Sequence, residues 1–495
     1  MAVRDSGYEG SFSIPTPKGV YQAAGDTNVN VDYAYHAENM RTERGLLATS
    51  YGTSRAFPSL GVPIETLARF YRRTRPDDPE VYVAAAGGAI YTYTLGTEGW
   101  VKRGEGYNSN AWSYVTYETE EEGQTVDLLI MSNALDGMVA VYGSDLRAEK
   151  KELAIGAEYE NVKFAVLSRH AERIWGTGAI GYPDSVFYSQ PYKPFDWTGV
   201  EDTPEMGGGV INQPTWDGDS FVALEPFGGY LLAIKQNTVF EIRGTDPTTF
   251  TVTQGYGTDG PVQVRTICTD RLQTLFLSQG GIGVYDGTTM RLLSRDALYE
   301  TMRMRMPGND MKSTACICDH TYYLAMRVRA DASEEVVENN MVIEYDTERG
   351  TFMLRSGVRV KDFFVVDGVI YYTQADEPYD VLNYNDPDAA GYMGQPMVSV
   401  WETPWLDLGK AYMKRDFELR FTADADGNDV PVDITIITDR REKTKTVLLQ
   451  KRRKDYRVKI QQSGVRVKLR ISSSRKAAGW RIYGGVQVEY SLDEV

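Results

Sequence analysis

A chain of 495 residues with 33 Tyr, 47 Gly and 20 Pro is too long for one hydrophobic core and too rich in turn formers to be mainly helical, so a β-rich architecture of about two to four domains or one closed repeat is expected. The formal net charge of -16 argues against ordinary nucleic-acid binding through a basic surface. No window approaches about 18 uninterrupted apolar residues, and "MAVRDSGYEG" lacks the apolar core of a secretion signal, so a soluble protein made in the cytoplasm with no membrane contact is expected.

Residues 1–60 are rich in Gly, Pro, Asn and Ser around short apolar groups ("SFSIPTPKGVYQ", "NVNVDYAYHAENM"), which predicts an extended N-terminal arm that orders by packing on something else. From about residue 64 a pattern repeats: a short apolar strand, a Gly, Asn or Asp turn, then a second strand rich in Val, Ile and Tyr. It occurs at 81–94, 127–143, 173–190, 229–244, 273–287, 322–354 and 362–374. A four-stranded blade needs about 40 to 50 residues, so the spacing predicts a β-propeller over 61–390, with about seven blades and with six or eight also compatible. Two unrelated β-sandwiches are the alternative arrangement. In the third unit, Arg173-Ile174-Trp175 reads as an inner strand, Val186-Phe187-Tyr188 as its return, and "PYKPFDW" as the exit to the next blade.

Helical signal is sparse. "PIETLARFYRRTRP" (63–76) reads equally as helix or strand, and "RDALYETMRMRM" (295–306) as a helical crossing between blades, with Leu298 and Met302 on one face. Near 385–409 turn residues give way to new strands, and the alternation of apolar and polar residues from there predicts a small β-sandwich over 391–495. Residues 400–495 hold 20 Lys+Arg against 14 Asp+Glu, so this last fifth is mildly basic and the rest strongly acidic.

Few constellations could carry chemistry. With histidine only at His36, His170 and His320, a Ser-His-Asp set can be drawn only by free choice among many Ser and Asp. The Asp-Gly turns at 132–143 and 284–293 lack the Ser-x-Asp-x-Gly-x-x-Trp form and arginine cluster of sialidase propellers. "MGGGVI" (206–211) lacks the Gly-Lys-Ser/Thr of a phosphate loop. Cys316 and Cys318, beside His320, give the one hint of a metal cluster, but strand alternation puts both on one sheet face as small buried residues. "DADGND" (424–429) spaces Asp like a calcium turn without the downstream bidentate glutamate. No catalytic residue, cofactor or metal is therefore assigned. The segment 439–457 concentrates basic residues, and Arg440, Arg441, Lys443, Lys451, Arg452, Arg453 and Lys454 are the candidate assembly contacts, toward an acidic neighbour ahead of DNA.

"ENMRTERGLLATSYGTSRAF" (38–57), with Asn39, Met40, Gly45 and Gly52, resembles the N-terminal motif of β-propeller tail-hub or nozzle proteins of tailed bacteriophages, the packaged-DNA-stabilisation-like virion proteins. "RIWGTG" with "YPDSVFYSQ" and "PFDW" is similar to their description of one blade. "TPWLDLG", "YRVKIQQSGVRVKLRI" and "WRIYGGVQVEYSLD" resemble the terminal β-domain of related virion proteins. The resemblance implies a non-enzymatic virion protein of the tail or neck, a homo-oligomeric ring with sixfold symmetry. It also implies portal, adaptor and tail-fibre proteins as neighbours, and transient contact with genomic DNA in the channel. An acidic wall fits such a channel, because it binds DNA weakly. The alternative function is a glycan-binding or receptor-binding propeller, adhesin or glycosidase-like, with Trp175, Tyr182, Tyr188, Tyr192 and Trp197 exposed as a stacking platform.

Overall fold

The computed structural model describes residues 10–492 apart from 24–28, 256, 258, 307–311, 332 and 410–411. Strands dominate it, and six of its sheets are four-stranded. Among the described residues, no helix is long and apolar enough to cross a membrane.

The sheets form seven blades. The first six begin with the inner strands Ile64–Phe70, Ser113–Glu121, Val166–His170, Phe221–Phe227, Cys268–Asp270 and Thr314–Cys318, each hydrogen-bonded antiparallel to the next strand in sequence. The seventh begins with Val360–Val366 and takes its outermost strand from the other end of the chain. Gly52–Arg55 pairs with Val381–Asp386, in the register Asn383↔Ser54. The ring is thus closed by hydrogen bonds between segments some 330 residues apart, which protects the last blade's edge.

Seven blades leave seven gaps, and each is filled by its own apolar cluster. Phe70, Val83, Leu129 and Val139 join blades 1 and 2. Leu128, Phe164, Ile174 and Trp197 join blades 2 and 3. Trp175, Tyr188, Leu231 and Phe240 join blades 3 and 4. The last gap, between blades 7 and 1, holds Phe57, Tyr82, Tyr93 and Phe364, with Phe57 and Tyr82 ring centroids 4.7 Å apart. The seven hairpins expected from sequence fall one per blade. In blades 1 to 5 they are the second and third strands, which are the most fully buried and hence the most uniformly apolar.

Two expectations about blade 3 are corrected. Arg173–Thr177 is the second strand of blade 3, because Val166–His170 lies inside it. "PYKPFDW" stays within blade 3, between its third and fourth strands, and returns Trp197 to the gap shared with blade 2. Residues 64–70 are a strand, whereas 294–297 and 299–304 are short helices between blades 5 and 6, with Leu298 buried as expected.

The second lobe is a β-sandwich, but its boundaries differ from 391–495. One of its sheets orders Met40–Glu43, Leu46–Thr49, Trp480–Leu492, Lys414–Ala425 and Lys454–Gly464, with Gly10–Ile14 also paired to Trp480–Leu492. The facing sheet runs His36–Glu38, Ser399–Glu402, Val467–Ser473, Val430–Thr438 and Glu442–Leu449. The expected N-terminal arm is therefore, as far as it is described, built into this lobe. Ile14, Val20, Ala34, Met40 and Leu47 are buried there, since the long C-terminal strand would otherwise keep an open edge. His36–Glu38 also pairs with the last strand of blade 6, Thr351–Ser356, so one nine-stranded sheet continues from propeller into sandwich.

Candidate axial site

The inner strands of a propeller start at the same end of the ring, and here those starts enclose a cavity of about 790 Å³ lined from all seven blades. Its polar groups largely satisfy one another. Arg265, just before blade 5, reaches across the axis to the Asp362 carboxylate of blade 7 and to the Glu65 backbone carbonyl of blade 1. The Thr314 hydroxyl also donates to Asp362, at 3.1 Å. Lys361 pairs with Glu65 at 2.9 Å, and Lys312 with Glu338 at 2.6 Å. Burial holds the Asp362 carboxyl above its usual range in spite of Arg265.

Two groups remain open to the cavity. Tyr114 of blade 2 is 39% exposed, yet the protein around it pushes its phenol up to about 12. Glu225 of blade 4 is pushed up to about 7 by burial, against hydrogen bonding from Thr269. The cavity could hold a small polar molecule, but the arginine cluster of a sialidase is not assembled, because Arg265 is the only arginine among its described lining residues. These axial residues carried little sequence signal: they are isolated polar positions in or beside apolar strands, as in "KDFFVV" and "ALEPF".

The groups singled out from the sequence are placed elsewhere. Trp175 and Trp197 are buried, their indole N–H groups donating to the carbonyls of His170 at 3.0 Å and Pro194 at 3.1 Å. Tyr188 is buried too, so the stacking platform does not exist; of the five aromatics only Tyr192 is exposed. His170 is held below its usual pKa by burial. Buried Arg173 donates to the Ser189 and Gly207 carbonyls, which fixes the glycine-rich loop to blade 3. Cys316 and Cys318 pack with Ala325, Val342 and Val360, while His320 Nδ1 lies 3.0 Å from the Asp270 carboxylate. In the 424–429 turn, Asp424 accepts from Arg481 at 2.6 Å and from Tyr483 at 2.7 Å, and Asp426 pairs with Arg481 at 2.8 Å. An arginine thus occupies the position a cation would need.

The basic segment is split in two. Arg440, Arg441 and Lys443 lie at one end of strand Glu442–Leu449, and Lys451, Arg452, Arg453 and Lys454 at the other, about 25 Å away at ~3.3 Å per residue. Arg441 donates to Gln462 at 2.7 Å, and Arg453 lies 3.9 Å from the Tyr483 ring centroid. Lys443 and Lys445 stand opposite the buried Ile436 and Ile434 in register but are themselves exposed, on an edge strand. Charges on an edge strand block further strand pairing.

Of the resembling N-terminal residues, Asn39 and Gly52 lie at the joint between the lobes. Asn39, in the left-handed region at φ 56°, accepts from the Ser356 amide at 3.0 Å and the Tyr392 hydroxyl at 2.6 Å and donates to the Val398 carbonyl at 2.5 Å. Met40 is buried in the sandwich core, and Gly45 turns the following hairpin at φ 83°. Gly52 begins the closing strand of blade 7, where a Cβ would lie 2.3 Å from the Gly391 carbonyl oxygen.

No protein-family model matches the chain, and no curated protein sequence does. Solved structures similar to it include the Neurospora crassa Pan2 WD40 domain, at 11% identity over 68% of this chain and 96% of that one, with a TM-score of 0.39. A chain of a mitotic checkpoint complex follows at 8% identity, 67% and 97% coverage and 0.34. The AfRom2 CNH domain is at 10%, 68% and 99%, and 0.28. At these scores the likenesses add nothing to the strand pairing, from which the seven blades are read.

Proposed function

We propose that the chain is a structural subunit of a tailed-phage virion, one copy of a ring at the tail hub, nozzle or head-to-tail connector, acting as architecture rather than as an enzyme. The observation that carries this reading is the placement of Asn39, Met40, Gly45 and Gly52. Asn39 and Gly52 serve the joint at which the N-terminal segment crosses from the sandwich to close the last blade, while Met40 packs in the sandwich core and Gly45 turns one of its hairpins. Residues that hold the fold together in this way support an architectural role. The axial charges support it further, since they neutralise one another instead of converging on a substrate.

In this reading DNA passes between copies around the ring axis, not through one propeller, whose axis Arg265 spans. Sixfold symmetry and portal, adaptor and fibre neighbours come from the resemblance alone. The test is electron microscopy of the assembled protein and of labelled virions: a symmetric ring on the head-to-tail axis is expected. A monomer that binds or cleaves oligosaccharides would sink the reading. The glycan- or receptor-binding alternative has lost its aromatic platform and draws on the axial cavity alone, with Tyr114 and Glu225 open to it. Calorimetric titration with oligosaccharides separates the two.

A further inference from the structure

Trp216 is 99% exposed, on the connection from blade 3 to blade 4. An indole left wholly in water forgoes the burial that its large apolar surface favours. This loop is braced. Lys235, fully buried, donates from its ammonium to the Asp219 carbonyl at 2.7 Å and the Thr215 hydroxyl at 3.3 Å, on either side of Trp216. The same ammonium pairs with Asp184 at 2.5 Å, at the end of the neighbouring turn 178–184. The Gln213 and Phe221 amides donate to the carbonyls of Asp184 and Pro183, both at 2.9 Å. That second turn carries Ile180, 72% exposed.

One buried lysine therefore holds two apolar side chains out in solvent on a rigid mount, as binding anchors are held. The rim is acidic. Asp217 is next to Trp216, and exposed Glu158 and Glu160 flank the Ile180 turn, where the Glu160 amide donates to the Tyr182 hydroxyl at 3.1 Å.

The same chain carries a surface of complementary chemistry. Near the end of strand Glu442–Leu449 the sandwich exposes Leu448 at 52%, and the turn that follows carries Lys451 and Arg452. Among the described residues neither of these cations has an ion-pair partner, and the turn is fixed by the Lys451 amide donating to Asn428 at 3.1 Å. The sandwich is joined to blade 6, whereas Trp216 lies on the connection between blades 3 and 4, so the two surfaces belong to different parts of the molecule. We propose that they meet between copies: Leu448 and Arg452 of one molecule dock on Trp216, Ile180 and their acidic rim on the next. Such a contact is heterologous, and its repetition generates a ring when the rotation closes. The proposal rests on the self-assembling subunit read above and names its interface.

The test uses the full chain in sedimentation velocity over a concentration series. Wild type is expected to associate, less so at high salt. Trp216→Ala and Arg452→Glu are each expected to weaken association about 30-fold or more, at unchanged melting temperature, because both residues are exposed. The mixture is diagnostic. Each variant keeps one intact surface, so the two together should form 1:1 dimers that grow no further, although neither self-associates alone. Should both variants assemble like wild type, this interface is wrong while the ring reading stands. A wild type that is monomeric at every concentration overturns both.

Discussion

At the scale of single residues, Glu225 is the group whose chemistry the fold alters in the most accessible way. Burial among the inner strands pushes its carboxyl up to about 7, against an ordinary value of 4.5, in spite of hydrogen bonding from Thr269. The folded state therefore holds a proton that the unfolded chain has released, so this group's contribution to stability falls as pH rises from about 4.5 through about 7. Glu225→Gln, which cannot ionise, is expected to raise stability at pH 8 by on the order of 1 to 3 kcal/mol and to leave it unchanged at pH 4. Urea unfolding at the two pH values checks this; an equal effect at both would mean that the carboxylate is not penalised. No sequence pattern announces Glu225, since its pKa comes from strands that are distant in the chain.

At the scale of elements, what the sequence made legible was local. The seven hairpins could be read because each is a pair of buried strands joined by a short turn, so pattern and partner lie within about 20 residues of each other. The closing strand Gly52–Arg55 could not, because its partner Val381–Asp386 lies at the far end of the propeller and four residues carry no periodicity. The basic run 439–457, contiguous in sequence, is divided by a full strand in space. Register explains what its middle does. Lys443 and Lys445, both exposed, are paired with Ile436 and Ile434 on a strand whose other edge is unpaired within the sheet. Replacing both with Val is expected to preserve or slightly raise the melting temperature while producing aggregation on heating, seen as light scattering, because the edge becomes flat and apolar. Variants as soluble as wild type would show that the edge is protected by something other than these charges.

At the scale of the whole molecule, the two lobes are one folding unit, and this follows from where the chain ends go. The sandwich draws four strands and part of its core from residues 10–49, and its second sheet is an extension of blade 6. A single apolar cluster runs from Leu275 and Leu277 of blade 5, through Leu324 and Ile343 of blade 6, to Phe417, Ile434 and Trp480 of the sandwich. Independent domains meet across a separate interface, whereas here the sandwich core is continuous with the cluster between blades 5 and 6. Residues 391–495 alone should therefore fail to fold, since Trp480–Leu492 would lose its partners Gly10–Ile14 and Leu46–Thr49. Deleting 1–35 should likewise destabilise the protein rather than only block assembly, because Ile14, Val20 and Ala34 are buried in that shared core. In the intact chain, Trp480→Ala, which empties a fully buried site and frees the Ser399 hydroxyl from its 2.9 Å bond to the indole, is expected to cost about 3 to 5 kcal/mol. Scanning calorimetry should record one transition, shifted as a whole by the substitution. Two resolved peaks, of which only one moves, would mean that the propeller holds together without the sandwich and that the continuous sheet does not couple them.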